Sequence, residues 1–217
     1  MKLEGLYLIA DSTQLTETNT GDYIADLIEA GVSIVQLRDK NHHAAAGNMR
    51  SRRYRLARII QAKCRIYNIP FIINDDVSLA LEIDADGVHL GQDDMAVRKA
   101  RQYLGADKYI GVSCYASKQR ALQAQQDGAD YVAFGALFNS PTKPQAQCLG
   151  SSVEQSLKVL QQLSGGINVP ICSIGGITPD KAKLVLRHGA QIIAVASGIL
   201  KAVDARQAIR QYRTAWL

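Results

Sequence analysis

The sequence predicts one α/β domain, residues 1–217, folded as a single (β/α)8 barrel of the TIM type. Three observations predict it. A joint marked by glycine recurs, in EAGVSIVQL (29–37), DADGVHL (84–90), QDGADYVAF (126–134) and RHGAQIIAV (187–195). In each, a glycine follows a helix-like stretch, where it accepts the left-handed conformation that ends a helix. An apolar β-branched or aromatic run comes next and reads as a strand buried on both faces. Eight such runs alternate with eight helical stretches along the chain. The hydrophobic content of 47% also comes with only 6% aromatics, so the core is mostly Ile, Leu, Val and Ala, the usual filling of a covered parallel sheet. A doubly wound open sheet is the alternative, and no GxGxxG opens the chain to favour it.

The elements follow from that joint. Strands are expected at Leu6–Asp11, Ile34–Arg38, Phe71–Asp75, Gly87–Gly91, Tyr109–Ser113, Tyr131–Leu137, Pro170–Gly175 and Ile192–Ser197. Helices fit between them at Gly21–Ala30, Ala44–Tyr67, Val77–Glu82, Ala96–Leu104, Lys118–Asp127, Ser152–Leu163, Pro179–Arg187 and Ala202–Thr214. Pro179 suits the first turn of its helix, with Thr178 as the cap. No linker or low-complexity stretch divides the chain.

The formal charge is +5 and the pI about 9.0, and much of the excess lies in MRSRRYRLARIIQAKCRIY, Met49 to Tyr67. Such a run can be a nucleic-acid surface. The plainer reading is the solvated side of an outer helix that packs Leu56, Ile59, Ile60 and Cys64 inward, and without a binding motif no nucleic-acid partner is expected. Cys64, Cys114, Cys148 and Cys172 have neither metal-ligand spacing nor a CxxC, which suits reduced thiols in a cytoplasmic protein. No signal peptide and no apolar run long enough to cross a membrane is seen. Self-association is left open.

In this fold the chemistry lies at the C-terminal ends of the strands. Gln36, Arg38 and Lys40 alternate in QLRDK, so all three are expected on one inward face. Two cations there suit a phosphate or diphosphate, through an Arg fork and a Lys point charge; a salt bridge to an inward carboxylate such as Asp75 is the alternative. Asp75 and Asp94 end neighbouring strands. Beside a phosphate they suggest Mg²⁺, with acid–base work or helix capping as alternatives, and Asp76 and Asp93 read as caps. IGGI (174–177) and VASGI (195–199) follow the last two strands and suit a monophosphate bound by backbone N–H groups. His89 reads as a hydrogen-bonded flank residue. FGALFNSPTKP (134–144) delivers Ser140, Thr142 and Lys143 into a loop held by two prolines. Two anion sites on one barrel face, one with a metal, imply two phosphorylated substrates or one bisphosphate, and leave transferase and isomerase both open.

The series QLRDK, INDD, DGVHLGQDD, GVS, DYVAFGALFNSPTK and IGGI resembles, in order and spacing, the motifs of the thiamine phosphate synthase family, over almost the whole chain. The resemblance implies a (β/α)8 barrel and a transferase of thiamine biosynthesis. It would condense 4-amino-5-hydroxymethyl-2-methylpyrimidine diphosphate with hydroxyethylthiazole phosphate, with Mg²⁺ required. It implies that Gln36, Arg38, Lys40, Asn74, Ser113 and Lys143 hold the pyrimidine diphosphate, with Arg38, Lys40, Ser113 and Lys143 catalytic. Asp75 and Asp94 would hold the metal. Ser140, Thr142, Gly176 and the backbone of Val195, Ala196 and Ser197 would take the thiazole phosphate. Ser140 stands where many relatives carry threonine, and PQAQCLGSS after Lys143 departs from the usual form. The thiazole tautomerase on the same barrel is the runner-up, but it needs no diphosphate grip. A barrel binding RNA through Arg50 to Arg65 would leave the strand-end set unexplained.

Overall fold

The computed structural model describes residues 3–40, 47–140, 145 and 147–217, with only the backbone given for 47–50. Eight parallel strands close into a barrel in chain order: β1 (Gly5–Asp11), β2 (Ile34–Arg38), β3 (Phe71–Asn74), β4 (Gly87–Leu90), β5 (Tyr109–Tyr115), β6 (Tyr131–Phe134), β7 (Ile171–Ile174) and β8 (Ile192–Val195). Closure is made by β1 on β8, with Gly5 opposite Ile192 and Leu8 opposite Val195. The helices are α1 (Thr20–Ala30), α2 (Gly47–Ile66), α3 (Val77–Glu82), α4 (Val97–Leu104), α5 (Lys118–Gln126), α6 (Val153–Ser164), α7 (Pro179–Arg187), α8 (Ser197–Leu200) and α9 (Ala205–Arg213). Single 3-10 turns follow β1 and α9.

Strand alternation sorts the apolar residues into two cores. Leu6, Leu8, Val35, Leu37, Ile73 and Val88 point outward and pack against the helices. Tyr7, Ile9, Ile34, Ile72, Tyr131, Cys172 and Ile192 fill the barrel interior. Both faces of the strands are largely buried, so the strands are mostly apolar, with the polar residues gathered toward the cavity end of the barrel.

At three of the four expected joints glycine has the left-handed backbone: Gly31, Gly128 and Gly189. DADGVHL differs. There Asp84 takes the positive φ, and Gly87 opens β4, where a Cβ would meet the Tyr109 carbonyl oxygen at 2.2 Å. Asp76 caps α3 by accepting from the Leu79 N–H, as expected. Thr178 sits at the start of α7 without a side-chain cap bond; its hydroxyl bonds Asp180 instead. Strand β6 stops at Phe134, and the apolar residues beyond it are buried as a loop, with the Leu137 N–H on the Ile174 carbonyl. The final helix, α9, lies within the expected Ala202–Thr214, and an additional one-turn α8 follows β8 directly, beginning at Ser197 where the strand was expected to end.

The basic run is the outer helix α2. Leu56, Ala57, Ile60 and Cys64 are buried and Ile59 half-buried. Its six described cations are all engaged within the fold. Arg52 donates to the Ser12 and Leu15 carbonyls, Arg53 pairs with Asp76 at 2.7 Å and Arg55 with Glu17 at 2.6 Å. Arg58 donates to Gln61, Lys63 pairs with Asp22 and Arg65 with Asp84. These charges tie α2 to its neighbours. Among the described residues no helix is long and apolar enough to cross a membrane.

Candidate active site

A cavity of about 860 Å³ opens at the C-terminal ends of the strands, within the size range of small-molecule sites. Ten of the expected residues line it: Gln36, Arg38, Asn74, His89, Ser113, Ser140, Gly176, Val195, Ala196 and Ser197. Lys40, Asp75 and Asp94 lie outside that lining, and Asp94 borders a smaller cleft of about 230 Å³ with Gln92 and Arg120. Thr142 and Lys143 lie outside the described residues.

On the β1–β3 side the cations are paired within the protein. Arg38 donates to Asp11 at 2.6 Å, and Lys40, just past the strand end, to Asp75 at 2.7 Å. The salt-bridge alternative is therefore what the structure contains, and an anion here would share both cations with carboxylates. Asp11 is held below the usual carboxylate range. Burial opposes this, but bonds from the Thr13 hydroxyl and N–H, together with the Arg38 charge, outweigh it. Asp11 closes the first expected strand, and its pairing with Arg38 follows from β1 and β2 being neighbours in register.

Asn74 is buried, and its Nδ2 has no hydrogen-bond partner. An orphan buried donor costs about 1–3 kcal/mol, a cost that a ligand acceptor in the cavity would remove. Asp75, the next residue, has φ +66, a region costly for a residue other than glycine. Its N–H bonds the His89 carbonyl at 2.8 Å, and its side chain meets Lys40 and Asp94. Despite burial, bonds from Lys40 and Asp94 hold Asp75 below its ordinary value. Asp94 is raised, first by burial and then by the Asp75 carboxyl against it. Asp94 does not cap α4; it accepts from the Gly91 N–H at 2.6 Å.

Opposite, on the β7–β8 side, Gly175 and Gly176 both have positive φ, and a Cβ on Gly176 would lie 2.2 Å from the Asn139 carbonyl oxygen. The Phe138 N–H bonds the Gly175 carbonyl at 2.9 Å, so the loop after β6 is fastened to the turn after β7. Val195, Ala196, Ser197 and Gly198 complete this wall as β8 passes into α8.

Polar lining residues not singled out from the sequence include Tyr7, Tyr115, Asn139, Gln147, Lys201 and Tyr212. Tyr7 and its partner Tyr131 looked like ordinary strand apolars. The available signal was the hydroxyl, since a buried tyrosine needs a hydrogen-bond partner. His89 is hydrogen-bonded as expected, to Tyr131 and Ser113, and it also faces the cavity.

The family model described as thiamine monophosphate synthase matches residues 6–199. The chain is 44% identical over 211 residues to a thiamine-phosphate synthase of Nitrosococcus oceani, covering 97% of this chain and 92% of that one. It is 40% identical to the thiamine-phosphate synthase of Clostridium acetobutylicum, covering 91% and 87%. A solved thiamine phosphate pyrophosphorylase from Pyrococcus furiosus superposes with a TM-score of 0.80 at 32% identity, covering 97% of this chain and 94% of that one. A 3-hexulose-6-phosphate synthase, at 18% identity and a TM-score of 0.69, shares the fold. With its motif series, its closed eight-stranded barrel and these likenesses over nearly its whole length, the chain belongs to the thiamine monophosphate synthase family.

Proposed function

We propose that this transferase joins 4-amino-5-hydroxymethyl-2-methylpyrimidine diphosphate to hydroxyethylthiazole phosphate, giving thiamine monophosphate and diphosphate. The observation that carries the reading is one cavity with two walls whose groups suit anions. Arg38, Asn74 and Ser113 stand on one side, and the Gly175–Gly176 turn and the Val195–Gly198 backbone on the other. One substrate phosphate group per wall places the two organic parts between them, which suits a bimolecular condensation more than an isomerisation.

In the proposed reaction the carbon–oxygen bond of the pyrimidine methylene breaks first, and both electrons leave on the diphosphate. The ring's amino group stabilises the resulting cation. The thiazole nitrogen then forms the new bond with its lone pair, so no protein nucleophile is used. The chain's own work is to stabilise the leaving charge and hold alignment. Arg38 presents fork donors to the departing oxygens, Lys40 adds a point charge at the rim, and Asn74 and Ser113 add neutral donors. Ser140 and the Gly176 and Ser197 backbone would keep the thiazole phosphate in place. Lys143, and with it Thr142, keeps the role that the family motif implies. Four free thiols suit a reducing cytoplasm.

The family's Mg²⁺ fits the donors at one point. Burial, and after it the Asp75 carboxyl, raises Asp94, and a divalent cation would relieve the repulsion between the two carboxyls. Among the described residues no group of three or more His, Cys, Asp or Glu could hold a metal, so water and substrate oxygens would supply the remaining ligands. When bound there, the ion would neutralise charge on the diphosphate. Asp75→Asn is expected to raise the Mg²⁺ concentration for half-maximal rate at least about tenfold; a Mg²⁺ titration with an unchanged midpoint would move the ion elsewhere. The functional reading is tested by following diphosphate release with both substrates and Mg²⁺. Folded protein that releases none overturns it.

A further inference from the structure

A chain of hydrogen bonds crosses the barrel interior from β2 to β5. Gln36 Nε2 donates to the Tyr7 hydroxyl at 2.8 Å, and the Tyr7 and Tyr131 hydroxyls lie 2.9 Å apart. Tyr131 then meets His89 Nδ1 at 3.0 Å, and His89 Nε2 meets the Ser113 hydroxyl at 2.9 Å. The two tyrosines come from strands 124 residues apart in sequence, and both are 1% exposed. Space for the second is made by Gly111, where a Cβ would lie 2.0 Å from the Tyr131 ring.

Counting hydrogens fixes the direction of this chain. Burial raises both phenols above their ordinary range, so each carries one hydrogen. Tyr7 accepts from the Gln36 amide, so its own hydrogen points to Tyr131. Tyr131 has one hydrogen left, and His89 Nδ1 is its remaining partner. Nδ1 must then be the acceptor, which puts the imidazole hydrogen on Nε2. Nε2–H donates to the Ser113 oxygen, and the Ser113 hydrogen is not used within the chain. Ser113 lines the cavity, and its backbone is fixed by Arg120 Nε on its carbonyl at 3.1 Å.

We propose that Tyr7 and Tyr131 are positioning residues: they hold His89 as the Nε2–H tautomer and so aim the Ser113 hydroxyl hydrogen into the cavity, as a donor to a phosphate oxygen of the substrate bound there. The tautomer is a property of the protein alone; the donor role rests on the proposed synthase reaction. The arrangement links Gln36 on β2 to Ser113 on β5 through hydrogen-bonded groups of the barrel interior.

The test is ¹⁵N NMR of the full chain labelled at histidine. It has four histidines, and His89→Asn assigns the signal. Wild type is expected to show the Nε2–H form at His89, and Tyr131→Phe to shift it to a mixture or to Nδ1–H. In turnover, Tyr131→Phe is expected to lose about tenfold in kcat, the loss typical of one misdirected hydrogen bond, with little change in KM for the thiazole phosphate. The double variant Tyr131→Phe/Ser113→Ala should be no slower than Ser113→Ala alone. An Nδ1–H tautomer in wild type, or an unchanged His89 signal in folded Tyr131→Phe, overturns the proposal, as do losses that simply multiply in the double variant. Should Tyr131→Phe fail to fold, the wild-type tautomer and the response to Tyr7→Phe decide the matter. Wild type that makes no product would instead sink the synthase reading, leaving the tautomer result to stand.

Discussion

Arg38→Met is expected to lower turnover by about 10²–10³-fold, the loss typical when one preorganised group stabilising transition-state charge is removed, while the barrel stays folded. The physical case rests on where Arg38 sits. It ends β2 at the cavity wall, about 80% shielded from solvent, and is anchored to Asp11 through one nitrogen at 2.6 Å. A guanidinium has five donors, so that bond leaves the fork able to serve a diphosphate. Removing the side chain leaves Asp11 without its ion-pair partner, but the Thr13 hydroxyl at 2.6 Å and N–H at 3.0 Å still bond it. The stability cost should therefore be about 1–3 kcal/mol, and pairing the change with Asp11→Asn should recover part of it without recovering rate. Arg38→Lys keeps the charge and loses the fork, so its rescue should be partial. Initial rates of diphosphate release beside thermal unfolding separate the two effects. A Met variant within about fivefold of wild-type rate would reduce Arg38 to a structural partner of Asp11.

That pairing also marks where the sequence stops being readable. The barrel was legible because its evidence is local: apolar runs of strand length, joints with glycine, and an alternation that only a parallel fold accommodates. Phe71–Asn74, Gly87–Leu90 and Ile192–Val195 all lie within the expected strands. The short α8 was hidden, since four residues carry no helical period and VASGI continues the apolar run of β8. The overlong reading of β6 has the same origin. Leu137 and Phe138 are as buried as strand residues but belong to a loop pinned on β7, and burial alone does not separate those cases. At the site, the strand-end rule named ten residues that line the cavity. It raised the Lys40–Asp75 pair only as an alternative and could not choose it over a Lys40 held beside Gln36 and Arg38, because alternation holds only while the strand lasts, and β2 ends at Arg38. Tyr7 and Tyr131 were missed for a different reason. When both faces of a strand are apolar, the interior one cannot be told from the helix-facing one, and a partner 124 residues away leaves no mark on either segment.

Gly176→Ala should raise KM for the thiazole phosphate by about tenfold or more, equivalent to about 1.4 kcal/mol of lost binding, and leave binding of the pyrimidine diphosphate nearly unchanged. Two effects act at this residue. Its φ of +61 costs an alanine about 1–2 kcal/mol, which at about 2–4 °C per kcal/mol lowers Tm by a few degrees. The second effect is local. The new Cβ would sit 2.2 Å from the Asn139 carbonyl oxygen and 2.8 Å from that of Phe138, both backbone atoms, so the loop after β6 must move. Asn139 and Ser140 line the cavity on that loop, and displacing them disturbs the wall assigned to the thiazole phosphate. Gly166→Ala supplies the control. Gly166 also has a positive φ, +81, but a Cβ there meets nothing within 4 Å. It should lower Tm by a similar amount and leave both KM values alone. If Gly176→Ala behaves as Gly166→Ala does, the turn after β7 is strained for folding only and the thiazole phosphate binds elsewhere. If instead KM for the thiazole phosphate alone rises, the fastening of the β6 loop onto the β7 turn is part of how this wall of the cavity is shaped.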